Sequence, residues 1–394
     1  MPVNVNPPTV IAHDLPPSSE VVVIGGGVMG TSSAYALARR GVQVTVVERD
    51  GIATGASGRN AGIFSPSSIY TSGLTPLLSA SARIFRRWPE ELEADFAFRP
   101  SGTLMLSTDP DAPATLRSEY EQQGASETPA QILDGDEARR LVPALAPIVT
   151  GAVYYPGHGH IWPFALNHAL AAAAARRGAR IVQGTEVTGI DLDGSGRISA
   201  VQTTRGRVAC RWIVNAANAW AAPVARMVGL EMPVEPQRGQ ILAALPAPAF
   251  LPMPLDYVTG GSPLYWRQTP AGNVVMGGGR TFDRAGMGSY DRRNTLEIAR
   301  FFVSRIAALT PAVKDLTVVR MWGGTMGFTP DYRPIIGPTA AVPGFVMAQA
   351  CNGSGMGWSA IVGRLVADCI TGVPPSVPLD LVTPDRFLDG QEKG

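Results

Sequence analysis

Glu20-Val-Val-Val-Ile-Gly25-Gly-Gly27-Val-Met-Gly30 is the stretch on which the fold turns. Val21 to Ile24 is a short apolar run rich in β-branched residues, the composition of a strand buried on both faces of a parallel sheet. Three glycines follow at once, and a helical pattern then runs from about Met29 to Arg40 and stops at Gly41. A second strand, Val42 to Val47, ends in Glu48, with Arg49 beside it. Each piece has a physical task. Gly25 permits a tight turn, Gly27 admits a pyrophosphate to the backbone, and Gly30 lets helix and strand pack closely. The helix start around Val28 and Met29 offers N–H groups and partial positive charge to phosphates. Glu48 can accept hydrogen bonds from ribose hydroxyls and disfavours a 2′-phosphate. A glycine turn alone says little, but here strand, turn, helix, strand and terminal acid occur in order between Glu20 and Glu48. That order predicts dinucleotide binding.

Val21 to Ala38 carries no charge over 18 residues, near the lower limit for a membrane-spanning helix. Gly25, Gly26, Gly27 and Gly30 interrupt it, and the β-branched residues crowd its first positions, so no span is expected. Around this unit, 394 residues exceed the usual single-domain size, and two domains are expected. With 45% hydrophobic and 16% charged residues, the chain suits a well-buried globular protein rather than a disordered one. A net charge of +1 and the lack of a basic stripe argue against nucleic acid or an anionic membrane as partner. Cys210, Cys351 and Cys369 lack metal-ligand spacing and are odd in number, which suits a reducing cytoplasm and predicts neither a disulfide framework nor a metal site. Residues 1–18 are Pro-rich, without the order of a signal peptide.

The next segment separates FAD from NAD. Thr54-Gly-Ala-Ser57-Gly-Arg59-Asn60-Ala-Gly62-Ile-Phe64-Ser is a loop of small residues directly after the ribose acid. Such a loop can lie along an extended cofactor and offer it backbone N–H groups, although Gly/Ser clusters are also ordinary connections. With these residues the chain resembles the D-amino-acid-oxidase superfamily of FAD-dependent enzymes, which includes glycine oxidase, sarcosine oxidase and D-amino-acid dehydrogenase. The likeness runs from about Ser19 to Phe387. It implies non-covalent FAD, with Ser57, Arg59, Asn60, Ala61, Gly62 and Ile63 leading towards the isoalloxazine. It also implies that Val187 holds the adenine through its backbone, and that Asn215-Ala216-Ala217-Asn218-Ala-Trp220 lies against the cofactor. The glycine usual in this turn is Asn218 here, a residue that tolerates a left-handed backbone. Near the C-terminus, Trp322-Gly-Gly-Thr-Met326-Gly is followed by Asn352-Gly353-Ser354-Gly355-Met356-Gly357 and a helix from Trp358 to about Thr371. The resemblance brings that glycine loop and helix start to the pyrimidine side of the flavin, where a helix N-terminus favours negative charge.

The order of these blocks gives an α/β architecture, a Rossmann-type FAD-binding domain like that of glutathione reductase with an interleaved α+β substrate domain. Residues 19–82, 151–219 and 321–387 are expected in the first, 83–150 and 220–320 in the second, and 1–18 and 388–394 as tails. Strand-like runs at Gln240–Leu245, Leu264–Gln268 and Val274–Gly278 and an amphipathic helix at Leu296–Leu309 fall in the second.

The resemblance implies oxidation of a C–N bond by hydride transfer, on a small amine or amino acid, with O2 or another electron acceptor. Two carboxylate anchors of that superfamily are missing. Met326 stands where glycine-oxidase-like members place an arginine, and Gly357 where sarcosine-oxidase-like members place a lysine. Either another cation serves, with Arg267 the candidate, or the substrate has no carboxylate there. Tyr257, Tyr265, Trp266 and Trp322 are candidates for an aromatic wall, and each could equally be core. The cysteine that attaches flavin in sarcosine oxidase matches Gly324, and the lysine linked there to oxygen activation matches Val275. His158 and His160 lack acidic partners and read as hydrogen-bonded loop residues rather than a metal pair. Oxidase, dehydrogenase passing electrons to a partner or quinone, and non-catalytic flavin scaffold all remain open at this point.

Overall fold

A computed structural model of the chain describes residues 13–66, 73–121, 129–259, 262–278, 283–349 and 352–388. Cys351 lies outside them. Two large sheets organise the fold. The first has six strands in the order Ile335–Pro338, Phe345–Gln349, Trp212–Asn215, Val21–Ile24, Val44–Val47 and Arg180–Val182. All neighbours are parallel except the edge strand Ile335–Pro338, which is antiparallel. Alternation explains the β-branched runs. Val21, Val23, Val44 and Val46 face a core shared with the helices Val28–Ala38, Thr75–Glu91, Pro163–Ala175 and Gly355–Ile370. Val22, Ile24 and Val47 face the opposite core, closed by the three-stranded sheet Val187–Leu192, Ile198–Thr203 and Gly206–Ala209. Buried on both sides, these strands have no solvent face to mark with polar residues.

The second sheet has eight strands, in the order Val318–Phe328, Glu235–Pro246, Asn273–Gly278, Ser262–Gln268, Leu255–Thr259, Thr103–Ser107, Gly151–Tyr155 and Gln131–Asp134. Only the Leu255–Thr259 and Thr103–Ser107 pair is parallel. One face packs on Leu296–Leu309 through Leu264, Trp266, Met276, Phe302 and Ile306. The other face lines a cleft and the 54–63 loop through Ile241, Tyr265 and Trp322, and at its far end packs Met105, Val153 and Tyr155 on Ala112 and Leu116 of the helix Ala112–Glu121. The mixed α/β expectation is met. Strands Gly151–Tyr155 and Val318–Phe328 pair into the eight-stranded sheet, so the chain crosses between the two sheets inside the segments 151–219 and, at Val318–Phe328, around residue 321. No helix among the described residues is long and apolar enough to cross a membrane.

Candidate functional site

A cleft of about 490 Å³ opens between the two sheets, within the range of small-molecule sites. It lies beyond the C-terminal ends of the parallel strands, where Ile24, Val47 and Ala216 reach its wall. Such ends are where ligands bind in open α/β sheets.

The glycine turn is built as its spacing requires. Gly25 has φ +110°, and a Cβ there would sit 2.7 Å from the Ala216 carbonyl oxygen. Only glycine fits. Helix Val28–Ala38 starts at the cleft with no capping side chain and no acid in its first turn. An anion there meets N–H groups and no acid of the helix's own first turn. The Val28 N–H donates to Ser57 Oγ at 2.9 Å, which ties the 54–63 loop to the helix start. Glu48 is fixed by two backbone donors, Gly26 N–H to Oε2 at 2.6 Å and Asp50 N–H to Oε1 at 2.8 Å. A carboxylate has about four acceptor positions, so lone pairs remain for hydroxyl donors. Further along the cleft lie Val187 and the Arg49 guanidinium, stacked 4.6 Å from the Trp220 ring. Asn218 takes φ +50°, the left-handed backbone expected of the residue in the glycine's place. A second helix start, Gly355–Ile370, reaches the same cleft, also without a side-chain cap or first-turn acid.

Gly25, Gly27, Val28, Met29, Glu48, Arg49, Ser57, Arg59, Asn60, Ala61, Ile63, Val187, Ala216, Ala217, Trp220, Gly353, Ser354, Gly355 and Met356 all line this cleft. Gly30 and Gly62 do not, and shape it from behind. A Cβ on Gly30 would overlap the Gly25 carbonyl oxygen, and one on Gly62 (φ +73°) the Ile161 carbonyl oxygen. Arg59 and Asn60 spend polar groups on the loop itself. Arg59 donates to Thr54 O at 2.7 Å and Gly323 O at 3.1 Å. Asn60 donates to Ser57 O at 2.8 Å and accepts from Gly62 N–H at 2.8 Å.

The far half of the cleft is walled by the eight-stranded sheet. Tyr265 and Met326 are on it. Tyr257 and Trp266 are turned to the opposite face by strand alternation. Tyr257 bonds Thr108 Oγ1 at 3.0 Å, and Trp266, fully buried, donates to Thr310 Oγ1 at 3.1 Å. Trp322 donates to Arg59 O at 2.8 Å and packs with Ala61, Ile241 and Tyr265 beside the loop. Arg267 shares Tyr265's face but lies buried behind the wall, its guanidinium donating to the Ala61 and Ile161 carbonyls. Burial pulls it down to about 10. At Gly357 a side chain would overlap the Ser65 carbonyl oxygen, so a long cation has no room without movement. Val275 is buried against Ala61 and Ile241.

His158 and Asp256 line the same half. Thr103 Oγ1 and His158 Nδ1 are 2.9 Å apart, the ring stacks on Tyr155 at 4.6 Å, and burial lowers it to about 3. His160 differs from a hydrogen-bonded loop residue: it sits in the short strand Gly159–His160, both ring nitrogens buried without a partner among the described residues. Burial holds it neutral, near 4. The described residues contain no cluster of three or more His, Cys, Asp or Glu able to hold a metal. Sequence reasoning missed Asp256 altogether. Its carboxyl is pushed up to about 7 by burial, with no charge or hydrogen bond among the described residues offsetting it.

A family model described as FAD dependent oxidoreductase (DAO) matches residues 20–369. Glycine oxidase of Geobacillus kaustophilus is 30% identical over 358 residues, 89% of this chain and 92% of that one. Sarcosine oxidase subunit beta of Rhizobium meliloti is 31% identical over 357 residues, 86% and 82% of the two chains. Among solved structures, L-proline dehydrogenase from P. horikoshii superposes with a TM-score of 0.88 at 30% identity, covering 95% of this chain and 99% of that one. A strand–glycine turn–helix unit, a ribose-ready acid and two helix starts on one cleft suit a dinucleotide, and with a family match across most of its length the chain belongs to the DAO family of FAD-dependent oxidoreductases.

Proposed function

We propose that this chain oxidises the C–N bond of an amine or amino acid to an imine, which water then hydrolyses. The carrying observation is the single cleft that runs from the glycine turn to an apolar wall of Tyr265, Ile241 and Val258. Glycine oxidase, sarcosine oxidase and L-proline dehydrogenase, the relatives above, are each named for a substrate with a C–N bond. FAD supplies the hydride acceptor when bound. In this reading the Gly25, Gly27, Val28 and Met29 backbone holds the pyrophosphate, Glu48 the ribose, and Val187, Arg49 and Trp220 the adenine end. Ser57 to Ile63 and the Gly353 to Met356 loop hold the isoalloxazine. The helix start at Gly355 favours the negative charge of the reduced cofactor.

The protein's own share is to seat a neutral amine against the wall and exclude water. In this reading the cofactor is held without a covalent bond: of the two described cysteines, Cys210 packs in the core behind the three-stranded sheet, and Cys369 lies near the end of the Gly355–Ile370 helix. Burial pushes both thiols up, to about 12 and about 11. The decisive experiment is anaerobic flavin bleaching of the holoprotein against amino acids, N-methylated amino acids and simple amines. Bleaching by at least one class is expected, and a flavin that every class leaves oxidised overturns the reading. Admitting air then separates O2 from another acceptor by the rate of reoxidation.

A further inference from the structure

One register row crosses all eight strands of the second sheet: Trp322, Ile241, Gly277, Tyr265, Asp256, Met105, Val153 and Ile132. Residues in such a row share a face. Seven are apolar, aromatic or glycine. The eighth, Asp256, is the row's one ionisable carboxylate and lines the cleft. Its setting does not neutralise it. Among the described residues no ion pair or hydrogen bond reaches the carboxylate, and burial is the one influence on its titration.

The neighbouring phenol leans the other way. A Cβ on Gly277 would come 2.9 Å from the Tyr265 hydroxyl, so the ring lies over Gly277, away from Asp256. That leaves cleft space beside the carboxylate. The cations on the cleft wall, among the described residues, are Arg49, Arg59 and Arg292. Arg49 stacks on Trp220, Arg59 is bound to loop carbonyls, and Arg292 lies beside Gly323 and Arg59. None offsets Asp256. A half-buried carboxylate that faces a cleft with no partner among the described residues is a site for a cation from outside.

Position separates this cation from the amine that reacts. Trp322, Ile241 and Tyr265 pack against Ala61 and Ile63 of the flavin-side loop. Asp256 stands on the next strand over, about 4.8 Å further from that loop by strand spacing. We propose that Asp256 binds a second, non-reacting cationic group of the substrate, so that the preferred substrate class is a diamine rather than a small amino acid. The inference rests on amine oxidation as the reaction.

The test is anaerobic binding to the holoenzyme, read by flavin absorbance perturbation and by calorimetry. Each α,ω-diamine from three to six carbons is compared with the monoamine of equal length. A charge-assisted pair in a partly dry site predicts that the best diamine binds roughly thirtyfold or more tightly than its monoamine. Asp256→Asn should erase that ratio with FAD content unchanged, and Asp256→Glu should restore part of it. Equal affinities in the wild type, or a ratio that survives Asp256→Asn, overturn the inference, and the wild-type comparison decides even if the variant fails to fold. Monoamines that bleach the flavin with no diamine preference leave amine oxidation standing and sink Asp256. Diamines that bind through Asp256 while no amine bleaches the flavin sink the reaction and leave the cation site.

Discussion

Single residues carry opposite demands in the two halves of the cleft. Gly27 has φ −79° and ψ −179°, backbone that any residue adopts, so nothing in the helix itself requires glycine there. What excludes a side chain is space: a Cβ would come 2.9 Å from Ser57 Oγ, at the edge where the helix start meets the loop. Gly27→Val should therefore fold with native far-UV circular dichroism yet lose flavin absorbance, its affinity for FAD falling by roughly a hundredfold or more. Full absorbance in that variant would place the phosphates elsewhere. Asp256 is a liability to stability. Its folded value of about 7 lies above the unfolded carboxylate near 3.9, so the native state prefers the proton. Stability present at low pH is lost between about pH 4 and 7 and stays lost above, at most about 4 kcal/mol and less where water reaches the carboxylate. Asp256→Asn should raise Tm, and by more at pH 8 than at pH 5; a gain that is equal or reversed contradicts the assignment. Destabilising groups kept at a binding site are a common trade.

At the scale of elements, close helix packing is what small residues make possible. Helices Val28–Ala38 and Gly355–Ile370 touch where Gly363 meets Ser32, and Ser32 Oγ donates to Ser359 O at 2.6 Å. A Cβ on Gly363 would come within 2.6 Å of the Ser32 carbonyl oxygen and overlap its hydroxyl. Gly363→Ala should cost about 1–3 kcal/mol in urea unfolding through overpacking, and a change below about 0.5 kcal/mol would show that the crossing can open. These small-residue contacts also mark what sequence could reveal. The helix Leu296–Leu309 was fully legible because one face alone is buried. The last helix begins at Gly355, before Trp358, because its first turn is glycine-rich and mimics a loop. The stretch from Trp322 to Gly327 is as glycine-rich, yet Val318–Phe328 is one strand whose glycines lie against Arg292, Arg59 and Asn218. Strand Leu255–Thr259 shows the deeper limit. Alternation separates Tyr257 from Asp256, but which of them faces the cleft depends on the neighbouring strands. Tyr257 has the aromatic bulk, and the cleft face belongs to its neighbour.

In the whole molecule, the cleft makes the two sheets depend on what lies between them. Each sheet has its own cores away from the cleft, the first between four helices and the three-stranded sheet and the second against Leu296–Leu309. Between them, loop 54–63 touches Trp322 and Tyr265 through a small cluster. A ligand that contacts the glycine turn, the Ser57 loop and the Gly353 loop together binds the native arrangement and not the unfolded chain. Its binding energy then adds directly to stability, about 4 kcal/mol when free cofactor exceeds its Kd a thousandfold. For a chain of this length that corresponds to roughly 5 °C in Tm. Removing FAD should thus lower Tm by that order, and adding it back should restore both the melting point and the yellow colour. Because neither described cysteine lines the cleft, and the resemblance matches the attachment cysteine to Gly324, the release should be complete. Acid precipitation should leave all the flavin in the supernatant as FAD. Flavin retained in the pellet would mean a covalent bond, and an apoprotein that melts with the holoprotein would mean that the two sheets do not need the cofactor to hold their places.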